Sequence, residues 1–234
     1  MLFFHKVNYM SQGVLYIVST PIGNLEDITL RALRIFKEVD LIAAEDTRKT
    51  GVLLRHYNIK KKMTSYFEHN EQYKVSGLIS QLKSGKNIAL VSNAGTPSIS
   101  DPGFRLVRAA RNESIPVVPV PGVSSVITAL SVSSLPVHRF AFEGFLPPKT
   151  GKRKNFLLTI ADDERTLIFF ESPHRILATL KDLIEVFGDR RALLARELTK
   201  LHEETMQGPL TALYEQLEGR KIKGEITLLV EGKI

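Results

Sequence analysis

Short β-branched runs alternate with stretches of helical spacing from Val14 almost to the end of the chain, and this alternation limits the fold more than any other feature. In the first half, residues 14–18, 40–44 and 88–92 read as strands. Residues 28–39, 48–57 and 71–84 read as helices, the last closed by Gly85. Asp101-Pro102-Gly103 is followed by a helix to about Arg111 and then a short strand at Val117-Val118. Strand-helix-strand order predicts a mostly parallel sheet with helices on both faces. Pro116, Pro119, Pro121 and Gly122 then break the pattern and place a domain boundary. The reading is a loose N-terminal extension over residues 1–13 with Met10 as an alternative start, an N-terminal α/β domain over 14–120 and a C-terminal α/β domain over 121–234. The second half reads as helix 124–133, strand 140–145, a polar loop, helix 152–160, strand 166–170, helix 174–187, strand 192–196, an apolar-poor stretch, helix 210–217 and strand 226–230. Its closing strands can pair antiparallel, so a mixed sheet is expected.

With 234 residues, 43% of them apolar, the chain can bury the cores of two small domains. It has no cysteine, which excludes disulfides, thiolate metal sites and a Cys nucleophile. The formal net charge of +7 favours polyanionic partners, nucleic acid first. No apolar run approaches the roughly 20 residues that span a bilayer, and the first residues lack a signal-peptide pattern. A cytoplasmic protein without membrane contact is expected. The histidines show no His-Glu-x-x-His pattern, so no metal is expected. Neither the Gly-x-Gly-x-x-Gly fingerprint nor a Walker A pattern occurs, which disfavours nicotinamide and nucleotide-triphosphate sites.

Six segments carry chemistry. Ser92-Asn93-Ala94-Gly95-Thr96-Pro97, continuing to Asp101-Pro102-Gly103, follows a strand, where ligands of open α/β sheets bind, and Ala94 and Gly95 let a flat ligand approach the backbone. Asp101-Pro102 reads instead as a helix cap followed by a first-turn proline. Ser124 and Ser125 present two hydroxyls, for a ligand's polar end or as caps. Thr20-Pro21-Ile22-Gly23-Asn24-Leu25 opens beyond the first strand. Glu45 and Asp46 followed by Arg48 and Lys49 suit a polar substrate, or acidic residues at a helix start. Glu171, His174 and Arg175 leave a strand in one turn, and an imidazole such as that of His174 is a residue type that serves as a general base. In the turn after Phe145, Lys149, Lys152, Arg153 and Lys154 offer phosphate contacts beside an aromatic ring.

Taken in order, these segments resemble the tetrapyrrole-methylase superfamily, from about Leu15 to Glu231. The carrying residues are Thr20 to Asp27, Ala44 to Arg48, Ser92 to Gly103, Glu143 to Pro147, Phe170 to Arg175, Arg196 to Lys200 and Gly224 to Ile226. The chain is most similar to the bacterial branch that methylates the ribose 2′-hydroxyl of a cytidine in small-subunit (16S) ribosomal RNA. The resemblance implies two α/β domains with a cofactor cleft between them, a homodimer, and S-adenosylmethionine as cofactor. It assigns Pro21, Ile22, Asn93, Ala94, Gly95, Thr96, Pro97, Ser124 and Ser125 to cofactor binding. Asn93 stands where the family carries Asp, which keeps an acceptor but removes the charge. Longer members carry a further C-terminal segment, so RNA contacts of that segment are not expected here.

The reaction such a protein catalyses must align a ribose oxygen with the methyl donor and remove its proton. Glu171 and His174 are the first candidates for that proton, then Glu45 and Asp46. Arg48, Lys152, Arg153, Lys154 and Arg175 are the candidates for RNA phosphates, with the RNA expected in the assembled 30S subunit. Two other readings stay open: a small-molecule tetrapyrrole methylase, and a non-catalytic ribosome-assembly factor on the same fold.

Overall fold

The computed structural model describes residues 12–233. The expected extension over residues 1–13 and the alternative start at Met10 therefore fall mostly outside the described residues. Gly13 is already fixed, its N–H donating to the Leu82 carbonyl at 2.8 Å. The chain divides into two compact units, one ending at Ser124 and the other starting at Ser125.

The first unit runs β1 (Leu15–Val18), α1 (Leu30–Glu38), β2 (Leu41–Ala44), α2 (Thr47–His56), β3 (Met63–Ser65), α3 (Glu71–Lys83), β4 (Ile88–Val91), α4 (Phe104–Asn112) and β5 (Val117–Val120). The strands form one sheet in the order β3-β2-β4-β1-β5, parallel throughout. Side chains alternate across a strand, so β4 serves both faces. Ala89 and Val91 pack with Phe36 of α1 and Leu54 of α2, while Ile88 and Leu90 pack with Leu82 of α3 and Leu106 of α4. Burial on both sides explains why the central strands read as continuous apolar runs.

Two features of this sheet escape the sequence pattern. β3 is three residues long, follows Lys60-Lys61-Lys62 and has no apolar run to mark it. Pro119, expected to interrupt, lies inside β5 opposite Ile17. The Leu15 N–H donates to the Pro116 carbonyl and the Ser19 N–H to the Val120 carbonyl. Even-numbered residues of β5 therefore face β1, and Pro119 turns its nitrogen to the outer edge, where no ladder bond is lost.

The second unit runs α5 (Ser125–Ser131), β6 (Phe140–Phe145), α6 (Thr150–Thr159), β7 (Thr166–Glu171), α7 (Ile176–Phe187), β8 (Arg191–Arg196), β9 (Glu204–Pro209), α8 (Leu210–Leu217) and β10 (Ile226–Val230). Its sheet has the order β6-β7-β10-β8-β9, with β6 and β7 parallel and the remaining pairs antiparallel. The mixed sheet is thus as expected. Leu157 of α6, Leu183 of α7 and Leu213 of α8 pack against Phe169 and Leu228 on one face. β9 is the apolar-poor stretch: at the sheet edge only Met206 is buried, so its sequence carries little strand signal. The pairing of β6 with β7 shifts register between Phe142 and Gly144. That extra residue lets Phe142 and Phe145 share one face with Phe170, at ring separations of 4.8 and 5.5 Å. Among the described residues no helix is long and apolar enough to cross a membrane.

Candidate functional site

Because the five strands of the first unit run in one direction, the segments beyond β1, β2, β4 and β5 collect at one edge of its sheet. Thr20 and Gly95 exchange backbone hydrogen bonds of 2.9 and 3.0 Å, joining the segments after β1 and β4. The Ser19 and Thr96 hydroxyls lie 2.8 Å apart, and Thr96 also donates to the Val123 carbonyl beyond β5 at 3.4 Å. Gly95 has φ +73°, a conformation that strains any residue with a Cβ, and its Cα lies against Ile22, which a Cβ there would touch at 3.5 Å. Pro21, Ile22 and residues 93–97 are thereby brought together within one unit. Ser124 closes this unit and Ser125 opens α5 of the next; both are half-buried.

Glu45, at the end of β2, accepts the Asn93 N–H on Oε2 at 3.0 Å. Asp101 sits in the same group, and its expected role as helix cap is corrected. Gly103 holds the N-cap position of α4, with φ +150°. A Cβ at 103 would come within 2.2 Å of the Ser98 hydroxyl, so the chain needs glycine there and Asp101 is left ahead of the cap, outside the helix. Burial and the neighbouring charge of Glu45 push the Asp101 carboxyl up to about 6, against a weaker opposing hydrogen bond from Ser92. Sequence reasoning missed this role, since the run of left-handed residues Gly95, Ser98, Ser100 and Gly103 that carries Asp101 inward has no readable signal at the serines.

Among the described residues, Asp27 Oδ2, Asn93 Oδ1 and Ser98 Oγ are buried without a hydrogen-bond partner. All three lie in segments that follow β1 or β4. Buried polar atoms are rarely left unmade, and a ligand with a donor would satisfy Asn93. The glycine cradle at 95 and this orphaned acceptor fit an adenosyl group bearing an amine or hydroxyl.

The remaining expected residues divide. Asp46 caps α2 by accepting the Arg48 N–H at 2.8 Å, and its pair with the Arg48 guanidinium holds its carboxyl down at about 2. Such an acid is a poor proton acceptor near neutrality, which corrects its nomination. The Arg48 side chain is 89% exposed.

In the second unit, Glu171 is buried and fully engaged. Oε1 accepts the Ser172 N–H and the Arg175 guanidinium, each at 2.6 Å, and Oε2 accepts the Thr179 hydroxyl at 2.6 Å. Its nomination as proton acceptor is corrected: both oxygens already hold donors. Arg175 is thereby fixed and reaches the Leu146 carbonyl at 3.4 Å, whereas His174 is exposed. Arg153, expected at RNA phosphates, is 1% exposed, because α6 begins at Thr150 and turns it inward onto Asp182. The carbonyls of Pro147 and Pro148 and the Thr150 hydroxyl complete its partners. Lys152 is exposed, and Lys154 pairs with Glu185 at 2.5 Å. Phe145 is 60% exposed.

Residues 14–214 match the family model described as Tetrapyrrole (Corrin/Porphyrin) Methylases. A Haemophilus influenzae protein named ribosomal RNA small subunit methyltransferase I is 55% identical over 224 residues, covering 94% of this chain and 79% of that protein. A Thermotoga maritima protein of the same name is 48% identical, covering 94% and 99%. In fold, the chain is similar to the Thermus thermophilus uroporphyrin-III C-methyl transferase solved with S-adenyl homocysteine, with a TM-score of 0.64, 21% identity and coverage of 94% and 98%.

Proposed function

The chain belongs to the tetrapyrrole (corrin/porphyrin) methylase family, and from that membership we propose that it is an S-adenosylmethionine-dependent methyltransferase acting on small-subunit ribosomal RNA. The acceptor we assign is the ribose 2′-hydroxyl of a cytidine, presented by the assembled 30S subunit to a cytoplasmic homodimer. The observation that carries this reading is the turn from Ser92 to Gly103, with its glycine cradle and orphaned acceptor, in a chain so similar to the rRNA methyltransferases named above.

When bound, S-adenosylmethionine supplies an electrophilic methyl group on a sulfonium sulfur. Ile22, Ala94, Gly95 and Pro97, with Pro21, are the apolar residues at the carboxyl edge of the first sheet that would hold the cofactor. Asn93 Oδ1 would accept a hydrogen bond from the cofactor, and the Ser124 hydroxyl, at the end of the same unit, would take its polar end. Thr96 fixes the cradle through Ser19 and Val123.

For the RNA, Arg48 and Lys152 are the cations with most freedom, since an exposed pair such as Arg48–Asp46 is worth little and re-forms readily with phosphate. Lys154 and Arg175, partly engaged within the protein, add charge at fixed positions. Phe145, held edge-on against Phe170, offers a rigid face to an unpaired base. A proton acceptor is also required, and of the four nominated residues Glu45 is the carboxylate that lies at the cofactor turn.

Transfer of a tritiated methyl group to small ribosomal subunits from a strain lacking the modification tests the proposal. One ribose-methylated cytidine, located by mass mapping, is the expected product. No incorporation, or incorporation into a tetrapyrrole instead, overturns it.

A further inference from the structure

The net charge of the chain is gathered on one layer of one unit. Residues 31–62 carry nine Lys and Arg against four Asp and Glu, which is five of the seven net positive charges. Residues 125–234, by contrast, carry sixteen against fifteen. We propose that the outward face of α1 and α2, continued by Lys60-Lys61-Lys62, is a docking surface for the ribose-phosphate backbone of RNA flanking the acceptor nucleotide. The inference rests on the proposed function for the identity of the polyanion and names a surface for it.

The fold makes these residues one surface. α1 and α2 pack on the same face of the first sheet, burying Ile35 and Phe36 from one helix and Leu53 and Leu54 from the other. Residues three apart on a helix share a side, so Arg31, Arg34 and Lys37 form an exposed row along α1. Arg48, Lys49 and Arg55 stand exposed along α2. The connection after α2 is drawn to the end of α1, where Lys61 Nζ donates to the Lys37 carbonyl at 2.9 Å. Lys60 and Lys62, both exposed, flank that bond. Each helix returns from the carboxyl edge of a parallel sheet to its amino edge, so the cations run the length of the layer, about 15 Å along α2. The row starts at Arg48, on the edge that carries the candidate cofactor turn.

The acids of the segment do not neutralise it. Glu45 accepts the Asn93 N–H, and Asp40 accepts the Asn87 N–H at 2.8 Å, so both are tied to the ends of β4. Arg34 and Arg48 have carboxylate partners, Glu38 and Asp46. The other seven cations hold no ion pair among the described residues. On the opposite face of the same sheet, α3 and α4 pair Arg105 with Glu71 and Lys83 with Glu113, each at 2.7 Å. Crowded cations without counter-charges repel one another, and a polyphosphate relieves that repulsion while releasing its own condensed counterions. A lipid surface takes up the apolar side of a helix, but both helices bury theirs on the sheet. Leu30 and Val52 are left as single exposed apolar side chains.

Small ribosomal subunits lacking the modification are the probe. Two triple variants separate position from mere charge: Lys37→Gln/Arg55→Gln/Lys62→Gln on the proposed surface, and Lys83→Gln/Arg108→Gln/Arg111→Gln on α3 and α4. In salt titrations of subunit binding, the first is expected to lower the slope of log affinity against log salt by about 2 to 3, and the second by less than about 1. In methyl transfer at saturating donor, the first is expected to raise KM for subunits at least about tenfold, with kcat and calorimetric donor affinity within about twofold of the unaltered protein. The triple Lys37→Arg/Arg55→Lys/Lys62→Arg, which keeps every charge, is expected to bind subunits like the unaltered protein. A first variant with the unaltered slope and KM, or equal losses in both variants, overturns the inference. So does loss of binding to phosphatidylserine vesicles with subunit binding intact, which would make the surface a lipid contact. An unaltered protein that neither binds nor methylates the subunits overturns the proposed function instead.

Discussion

The carboxyl edge of the first sheet and the loops and helices around the mixed second sheet treat their charged residues in opposite ways. In the first unit, the segments beyond the strands leave Asn93 Oδ1 and Ser98 Oγ without partners and hold Asp101 against a like charge. In the second, Glu171 has a donor on each oxygen, Arg153 lies buried on Asp182, and Arg196 and Arg220 converge on Glu204. A satisfied ion pair fixes backbone and is inert, whereas an unsatisfied group is available to a ligand or a proton. The first edge is therefore the one fitted for chemistry, and the surroundings of the second sheet are fitted for holding cations and rings in place.

The contrast is broken most severely at Arg153. Replacing it by Ala strands Asp182 in the interior and is expected to cost about 3–5 kcal/mol. Replacing Arg153 and Asp182 together by Met and Leu is expected to recover most of that loss. Urea unfolding of the parent and the two variants measures both numbers, and a single variant as stable as the parent would show that the pair is not needed.

Gly95→Ala comes next. A Cβ at φ +73° costs about 1–2 kcal/mol in stability through backbone strain, while its contact with Ile22 is an ordinary one, so urea unfolding should show the loss directly. Lys152→Ala lies beside the second sheet but outside the ion pairs there. It should leave the melting temperature unchanged and lower the slope of log affinity against log salt for RNA by about 1.

The smallest effect sharpens the first edge. The folded Asp101 binds its proton more tightly than the usual value of 3.8 allows in the unfolded chain. Its contribution to stability is therefore whole below pH 4 and lost as pH rises through about 6. Asp101→Asn should melt slightly above the parent at pH 7.5, with the gap closing by pH 4. A gap of opposite sign would place Asp101 in a stabilising pair.

Much of this architecture was legible in the sequence because periodicity tracks burial. β1, β2 and β4 are apolar on both faces, and α1 begins where Thr29 can cap it by accepting the Ala32 N–H. The two strands that escaped notice, β3 and β9, are edge strands that bury little and so carry almost no pattern. At the candidate site, residues 93–97 and Ile22 stood out by glycine, proline and position. Charged residues were harder to place. Arg153 and Lys152 are neighbours in one basic run, yet the helix start at Thr150 sends one inward and leaves the other outside. Asp101 looked like a cap until Gly103 was found to hold that place.

The proline inside β5 has a consequence beyond the fold of one molecule. An open sheet margin is a template on which a neighbouring chain can add a strand, the first step toward fibrils. β5 forms one margin of the first sheet, and at Pro119 that margin offers a ring where an amide hydrogen would invite the newcomer. Exchanging Pro119 for Val would fit the ladder equally well and make the protein stickier at high concentration.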